Sequence, residues 1–239
     1  MFLSFTDPNP AMPAPCIAAP PGDTSQFDSA EAIYQRLMYC SDPDDRFDHH
    51  VVACILALAA WEASAEDKSL AATTGLDPTD LTTLIDGLFP HAVHLFAPNL
   101  HAPPLRSTDE ACLLDLLVQC ATDDTAFQVW LAAMIARRAQ SPNHLWQDLG
   151  LRNRGELSRL MTRHFRPLAA RNSSDMKWKK FLYRMICRDA GYSICTAPSC
   201  SECTDFEYCF GDESGESRLA RVRRTGDLVG DGISATSPG

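Results

Sequence analysis

Nowhere in these 239 residues is there a run of about 18 apolar residues, so no segment reads as a membrane span. The opening Met-Phe-Leu-Ser-Phe has no basic stretch, and its apolar character ends at Thr6 and Asp7, so no secretory signal is expected. Alternating apolar–polar stretches, the mark of half-buried strands, are essentially absent. There is no glycine-rich phosphate loop, no G-x-S-x-G and no H-E-x-x-H. A zinc deaminase needs H-x-E and P-C-x-x-C; here Ser199 separates Pro198 from Cys200, and no H-x-E precedes them. Together these absences predict a cytoplasmic, all-α protein that is not an enzyme.

What is present divides the chain into four. Prolines 8, 10, 13, 15, 20 and 21 remove backbone donors from a stretch without apolar periodicity, so residues 1–27 read as a disordered arm. Residues 28–191 read as a helical bundle, 192–213 as a cysteine-rich metal-binding loop, and 214–239 as a largely disordered tail. Within the bundle, Asp28 and Ser29 can cap a helix to about Tyr39, and Asp44 a second to about Glu62. The second contains His50 to Trp61, apolar nearly all round, as befits a helix at the centre of a bundle. Ser107-Thr-Asp-Glu110 reads as a capping box opening a helix to about Ala121. Another runs from about Asp124 to Ala139. The last, Met176 to Ala190, ends before Gly191, where a left-handed cap favours glycine. Leu70 to Leu76 followed by Pro78 to Leu88 has the outline of a helix-turn-helix. Its second helix is acidic, and phosphate contacts dominate nucleic-acid affinity, so a structural hairpin without nucleic acid is expected.

The densest chemistry lies near the C-terminus. Cys195, Cys200, Cys203 and Cys209 follow a C-x4-C-x2-C-x5-C spacing, four soft donors in one short run. In a reducing compartment, clustered cysteines are metal-binding or catalytic rather than disulfides. Thiolates select iron–sulfur clusters, zinc or copper(I). Zinc sites usually pair two knuckles, whereas only Cys200 and Cys203 form one here. Iron–sulfur motifs place several cysteines in one compact run with a further ligand. The spacing favours a cluster, with zinc as the rival and a disulfide pair as the remaining option.

The flanks narrow this. Met176-Lys-Trp-Lys-Lys-Phe-Leu-Tyr-Arg184 precedes the cysteines, and Cys209-Phe-Gly-Asp-Glu213 closes the run. With Leu149 to Asn172, these stretches resemble the NifQ family of nitrogen-fixation proteins, strongly from about Trp146 to Glu213 and loosely from about Ala32 to Arg106. The resemblance implies a molybdenum–iron–sulfur cluster held by Cys195, Cys200, Cys203 and Cys209. It also implies a role donating molybdenum for nitrogenase iron–molybdenum cofactor biosynthesis. The implied partners are cofactor-assembly proteins (a scaffold and nitrogenase reductase) and molybdate or sulfur-ligated molybdenum. The rival classes are a zinc-stabilised interaction module and an iron–sulfur redox or regulatory protein.

Charge is uneven. The chain carries −10 overall, yet Arg137 to Asp189 holds thirteen Lys/Arg against four Asp/Glu, leaving −19 elsewhere. Lys177, Lys180, Arg184 and Arg188 recur at helical steps and share a face, with Trp178, Phe181, Leu182 and Met185 on the core side. That face either raises local anion concentration beside the loop or pairs with the acidic body. Of the other candidate ligands, adjacent His49 and His50 diverge on a helix, and His91 and His94 stand without companions. His164, Glu202, Asp205 or Glu207 is a candidate to complete a molybdenum shell. Cys54, Cys112 and Cys120 read as core, as does Cys187 by default. Cys16 and Cys40 show no partner pattern.

Overall fold

The computed structural model describes residues 29–39, 46–96, 105–189, 206–213, 215 and 217–219. Every element among them is helical: α1 (Ala30–Met38), α2 (Arg46–Glu66), α3 (Leu70–Thr74), α4 (Pro78–Leu88), a 3-10 turn (Pro90–Leu95), α5 (Thr108–Gln119), α6 (Ala126–Arg138), α7 (Leu145–Asp148), α8 (Arg154–His164), α9 (Arg166–Arg171), α10 (Trp178–Asp189) and α11 (Phe206–Phe210). None is long and apolar enough to cross a membrane. The expected arm, the Asp44 cap and the Gly191 cap lie outside the described residues.

Side-chain oxygens start these helices by taking amides that the helix leaves unpaired. Ser29 accepts from the Ala32 amide, Ser69 from Ala72, Thr125 from Gln128 and Asn153 from Glu156. Ser107 accepts from Glu110 at 3.2 Å. The other half of the expected capping box is replaced. Glu110 is almost fully buried and turns to Arg137 on α6, 3.0 Å away, because a charge removed from water is stabilised far more by a guanidinium than by an amide.

At the centre is α2, buried without a break from His50 to Ala60. It runs one turn past the expected end, to Glu66. The core gathered around it takes Ile33 and Leu37 from α1, Leu131 and Ile135 from α6, and Leu157 and Leu160 from α8. Burying each such aliphatic side chain contributes about 1.5–3 kcal/mol before entropy is charged against it. The hairpin expected at 70–88 is present. Gly75 turns it with φ +79°, and a Cβ there would meet Arg137 Cβ at 2.8 Å, so glycine serves both the left-handed turn and the close approach of α6.

On α10 the expected apolar side is buried through Trp178, Phe181, Leu182 and Met185. Cys54 and Cys120 are buried, but Cys112 is exposed, a correction to its core reading. The buried positions of α5 are Glu110, Leu113, Leu116 and Leu117, and Cys112 falls off that stripe.

A candidate metal centre anchored at both ends of one helix

The approach to the cysteine run begins at a turn. Asn172 grips Met176 twice, its Oδ1 accepting the Met176 amide and its Nδ2 donating to the Met176 carbonyl, both at 2.9 Å. Asp175 adopts φ +54° there, a left-handed conformation Asp tolerates. This turn aims α10, whose last turn carries Cys187, half-buried.

Cys195, Cys200 and Cys203 lie outside the described residues, as do Glu202 and Asp205. Cys209 lies within them, on α11, a short helix the sequence did not announce. It packs half-buried against the core beside Phe210. The Cys209 carbonyl accepts the Lys177 amide at 2.9 Å, and Lys177 Nζ donates to the Glu207 carbonyl at 3.0 Å. So α11 is clipped to the start of α10, whereas the chain leaves for Cys195 from its end. Twelve helical residues rise about 18 Å, so the two attachments of the segment from 190 to 205 stand at opposite ends of one rigid rod.

The exit from the run is also fixed. Gly211 donates its amide to the Glu207 carbonyl at 2.8 Å. A Cβ at Gly211 would stand 2.4 Å from that oxygen, which only glycine avoids. Two residues on, the buried Glu213 carboxylate meets Arg154 and His144, each at 3.2 Å. Arg154 also holds Asp175 Oδ1 and the Asp175 carbonyl, both at 2.8 Å. One guanidinium thus joins α8, the turn before α10 and the Cys-Phe-Gly-Asp-Glu exit.

Beneath α10 lies a buried ion network. Lys179, between Trp178 and Lys180, turns inward to Asp148 and the Ser141 carbonyl. Asp148 is fully buried and also receives Arg218 at 3.1 Å and Asn143 at 3.0 Å. Arg138 donates to the Asp148 carbonyl and pairs with Glu62, which Arg218 reaches as well. Burial alone would raise the Glu62 carboxyl, but the hydrogen bonds and charges of Arg138 and Arg218 outweigh it and hold it below its ordinary value. Burial pushes the Lys179 ammonium down despite Asp148. Through Arg218 and the buried Leu219, the chain beyond the exit docks on the same body.

Several candidate ligands are otherwise occupied. His164 is buried, with Nε2 3.0 Å from Asp48 Oδ1, and ties the end of α8 to the start of α2. His91 Nε2 donates to the Arg36 carbonyl at 3.0 Å. His49 lies edge-on to Phe89, while His50 faces Tyr34 and Glu156. Among the described residues, no three His, Cys, Asp or Glu side chains converge as a metal site. Of the cysteine run, Cys209 lies among the described residues, with its backbone fixed to the body through Lys177.

Among the described residues the protein is an all-helical body with the Cys209 helix clipped back onto its last long helix, α10. The NifQ family model matches residues 51–211, from α2 to Gly211, and so includes all four cysteines. A NifQ homolog of Sinorhizobium fredii is 41% identical over 178 residues, 74% of this chain and 77% of that protein. NifQ of Rhodobacter capsulatus is 38% identical over 177 residues, 73% of this chain and 96% of the relative. NifQ of Azotobacter vinelandii is 39% identical over 98 residues, 41% of this chain and half of that protein. No solved structure matches. The chain belongs to the NifQ family, proteins implicated in nitrogen fixation.

Proposed function

We propose that this protein is a cytoplasmic molybdenum carrier rather than an enzyme. It holds an iron–sulfur cluster on Cys195, Cys200, Cys203 and Cys209, accepts molybdenum there from molybdate or a sulfur-ligated form, and donates it for nitrogenase iron–molybdenum cofactor assembly. The observation that carries the reading is the C-x4-C-x2-C-x5-C run inside the stretch matched by the family. Four thiolates suit iron, sulfide-bridged metals and sulfur-ligated molybdenum alike, since all are soft-ligand chemistry. The cluster supplies the sulfur-rich platform to which the cargo metal attaches. This chain's own part is to fix Cys209 against the body through Lys177 and Gly211. Its receiving partners are cofactor-assembly proteins, a scaffold and nitrogenase reductase.

The test is metal and acid-labile sulfide analysis of anaerobically purified protein from molybdate-fed cells, beside a variant with all four cysteines changed to alanine. Iron, sulfide and molybdenum together, lost in the variant, support carriage. Zinc without sulfide replaces it with a zinc-stabilised interaction module. Iron and sulfide without molybdenum leave an iron–sulfur redox or regulatory protein.

A further inference from the structure

A second feature lies away from the cysteines, between α1, the start of α2 and α8. It is a cleft of about 620 Å³ whose walls include Tyr34, Tyr39, Phe47, His50, Glu156 and the arginines Arg46, Arg152, Arg159 and Arg163. That volume is of the size that takes a metabolite. All four arginines are exposed, so their charge faces the opening. Two carboxylates compensate them on the described surface: Glu156, 3.8 Å from Arg152, and Asp48, 3.1 Å from Arg163. No carboxylate pairs with Arg46 or Arg159 among the described residues.

The groups are also held in place. Arg159 lies over the Phe47 ring, 3.9 Å from its centre. The Arg152 amide donates to Glu156 at 2.9 Å, and Glu156 faces His50 Nε2 at 3.2 Å. A carboxylate on Nε2 makes that nitrogen the donor, leaving Nδ1 to accept the Tyr34 hydroxyl, 2.8 Å away. The placement of the arginines indicates the ligand's form. Arg159 and Arg163 are one helical turn apart on α8, whereas Arg152 precedes that helix and Arg46 opens α2, so the four guanidinium groups come from three separate stretches of backbone. Guanidinium groups drawn from three stretches suit a ligand with more than one anionic group, as two linked phosphates provide. Tyr39 offers an exposed ring at the rim.

We propose that this cleft binds a small extended polyanion, a diphosphate-bearing metabolite, held by the guanidinium groups of Arg46, Arg152, Arg159 and Arg163. Bidentate guanidinium–phosphate pairing supplies the specificity. The site is independent of the cysteine run, so its test leaves the metal reading untouched.

The experiment is calorimetric titration of the full-length protein with inorganic pyrophosphate, ADP, orthophosphate and molybdate at one low ionic strength. The titration is repeated on Arg46→Gln/Arg152→Gln, with Lys180→Gln on α10 as the control. Expected are saturable binding of pyrophosphate and ADP, at least tenfold weaker binding of orthophosphate and molybdate, and a tenfold or greater loss in the double variant alone. The double variant's thermal unfolding should match the parent's, since both side chains are exposed. ADP binding more tightly than pyrophosphate would add the Tyr39 ring as a contact, and equal affinities would confine recognition to the diphosphate. No binding of either diphosphate, equal binding of single oxyanions, or binding indifferent to the double substitution would overturn the assignment.

Discussion

Arg154 and Glu213 face one another at 3.2 Å across 59 positions of sequence, and that pair fastens the end of the cysteine run to the helical body. Glu213 is nearly closed to solvent, while Arg154 keeps Asp175 as a second partner. Glu213→Ala removes one of two counter-charges from Arg154 and the partner of His144. We expect a loss of about 1–3 kcal/mol, the usual cost of taking away one partner of a buried polar group. Because the break is local, faster chymotryptic cleavage around residues 190–213 should be more pronounced than the fall in melting temperature. Equal changes in both would mean the exit supports the whole fold.

Gly211→Ala tests the same attachment from the backbone side. A methyl group 2.4 Å from the Glu207 carbonyl forces the end of α11 to move. Overpacking of this kind costs about 1–3 kcal/mol. Iron content after reconstitution should fall in this variant, whereas Gly87→Ala should load normally, because nothing lies near a Cβ at Gly87.

These two contacts mark where the sequence stopped being legible. The helices were readable because capping and periodicity are local: Ser29 and Ser107 cap where they were expected, and the expected hairpin at 70–88 is present. The phase of α5 was readable too, and placing Cys112 in the core ignored that Leu113, Leu116 and Leu117 already set the buried stripe. Glu110 defeated the capping-box reading because its partner, Arg137, sits on another helix. The five-residue α11 is too short for periodicity to reveal, yet its Cys-Phe-Gly-Asp-Glu ending was visible as a motif without a physical role. The Glu62–Arg138–Asp148–Lys179–Arg218 network joins residues up to 156 positions apart, beyond any spacing rule.

That network should be unequal in its parts. Asp148 compensates Lys179 and Arg218 at once and is fully buried. Asp148→Ala leaves cations uncompensated and is expected to cost about 3–5 kcal/mol, as breaking a buried pair does. Lys179→Met leaves Glu62 and Asp148 matched by Arg138 and Arg218 and keeps the buried stem, so it should cost clearly less. Denaturant unfolding of the two variants decides the order. A larger loss for Lys179→Met would mean that its bond to the Ser141 carbonyl matters more than charge balance.

Acid should weaken the fold through Glu62. Its folded pKa lies below its unfolded value, so its stabilisation is present above the ordinary carboxylate value of about 4.3 and is lost as pH falls through the folded value. Glu110 opposes this, because burial raises its pKa against the pull of Arg137 and Arg106. Glu62→Gln should therefore flatten the acid limb of the stability curve below about pH 5, where carboxylates begin to protonate. Glu110→Gln should not. Unfolding midpoints measured at several pH values distinguish the two, and parallel acid limbs for parent and Glu62→Gln would remove the role assigned to Glu62.

Cys209 is where fold and proposed chemistry meet, because it is the loop cysteine among the described residues and its backbone is fixed to the body. Its carbonyl is held by the Lys177 amide, so placing its thiol requires little further ordering of the chain, and less conformational entropy is lost when it takes a ligand. Cys209→Ser keeps the size and the α11 backbone but exchanges a soft donor for a hard one. Reconstituted iron and sulfide should fall several-fold, with helical content and melting temperature of the metal-free protein unchanged. Cys112→Ser, exposed on α5, should load like the parent. Lys177→Met separates position from ligation: it removes the Nζ bond to the Glu207 carbonyl and leaves the amide bond to Cys209 intact. Its loading should lie between parent and Cys209→Ser. Full loading of Cys209→Ser would take Cys209 out of the donor set and leave α11 as an anchor alone.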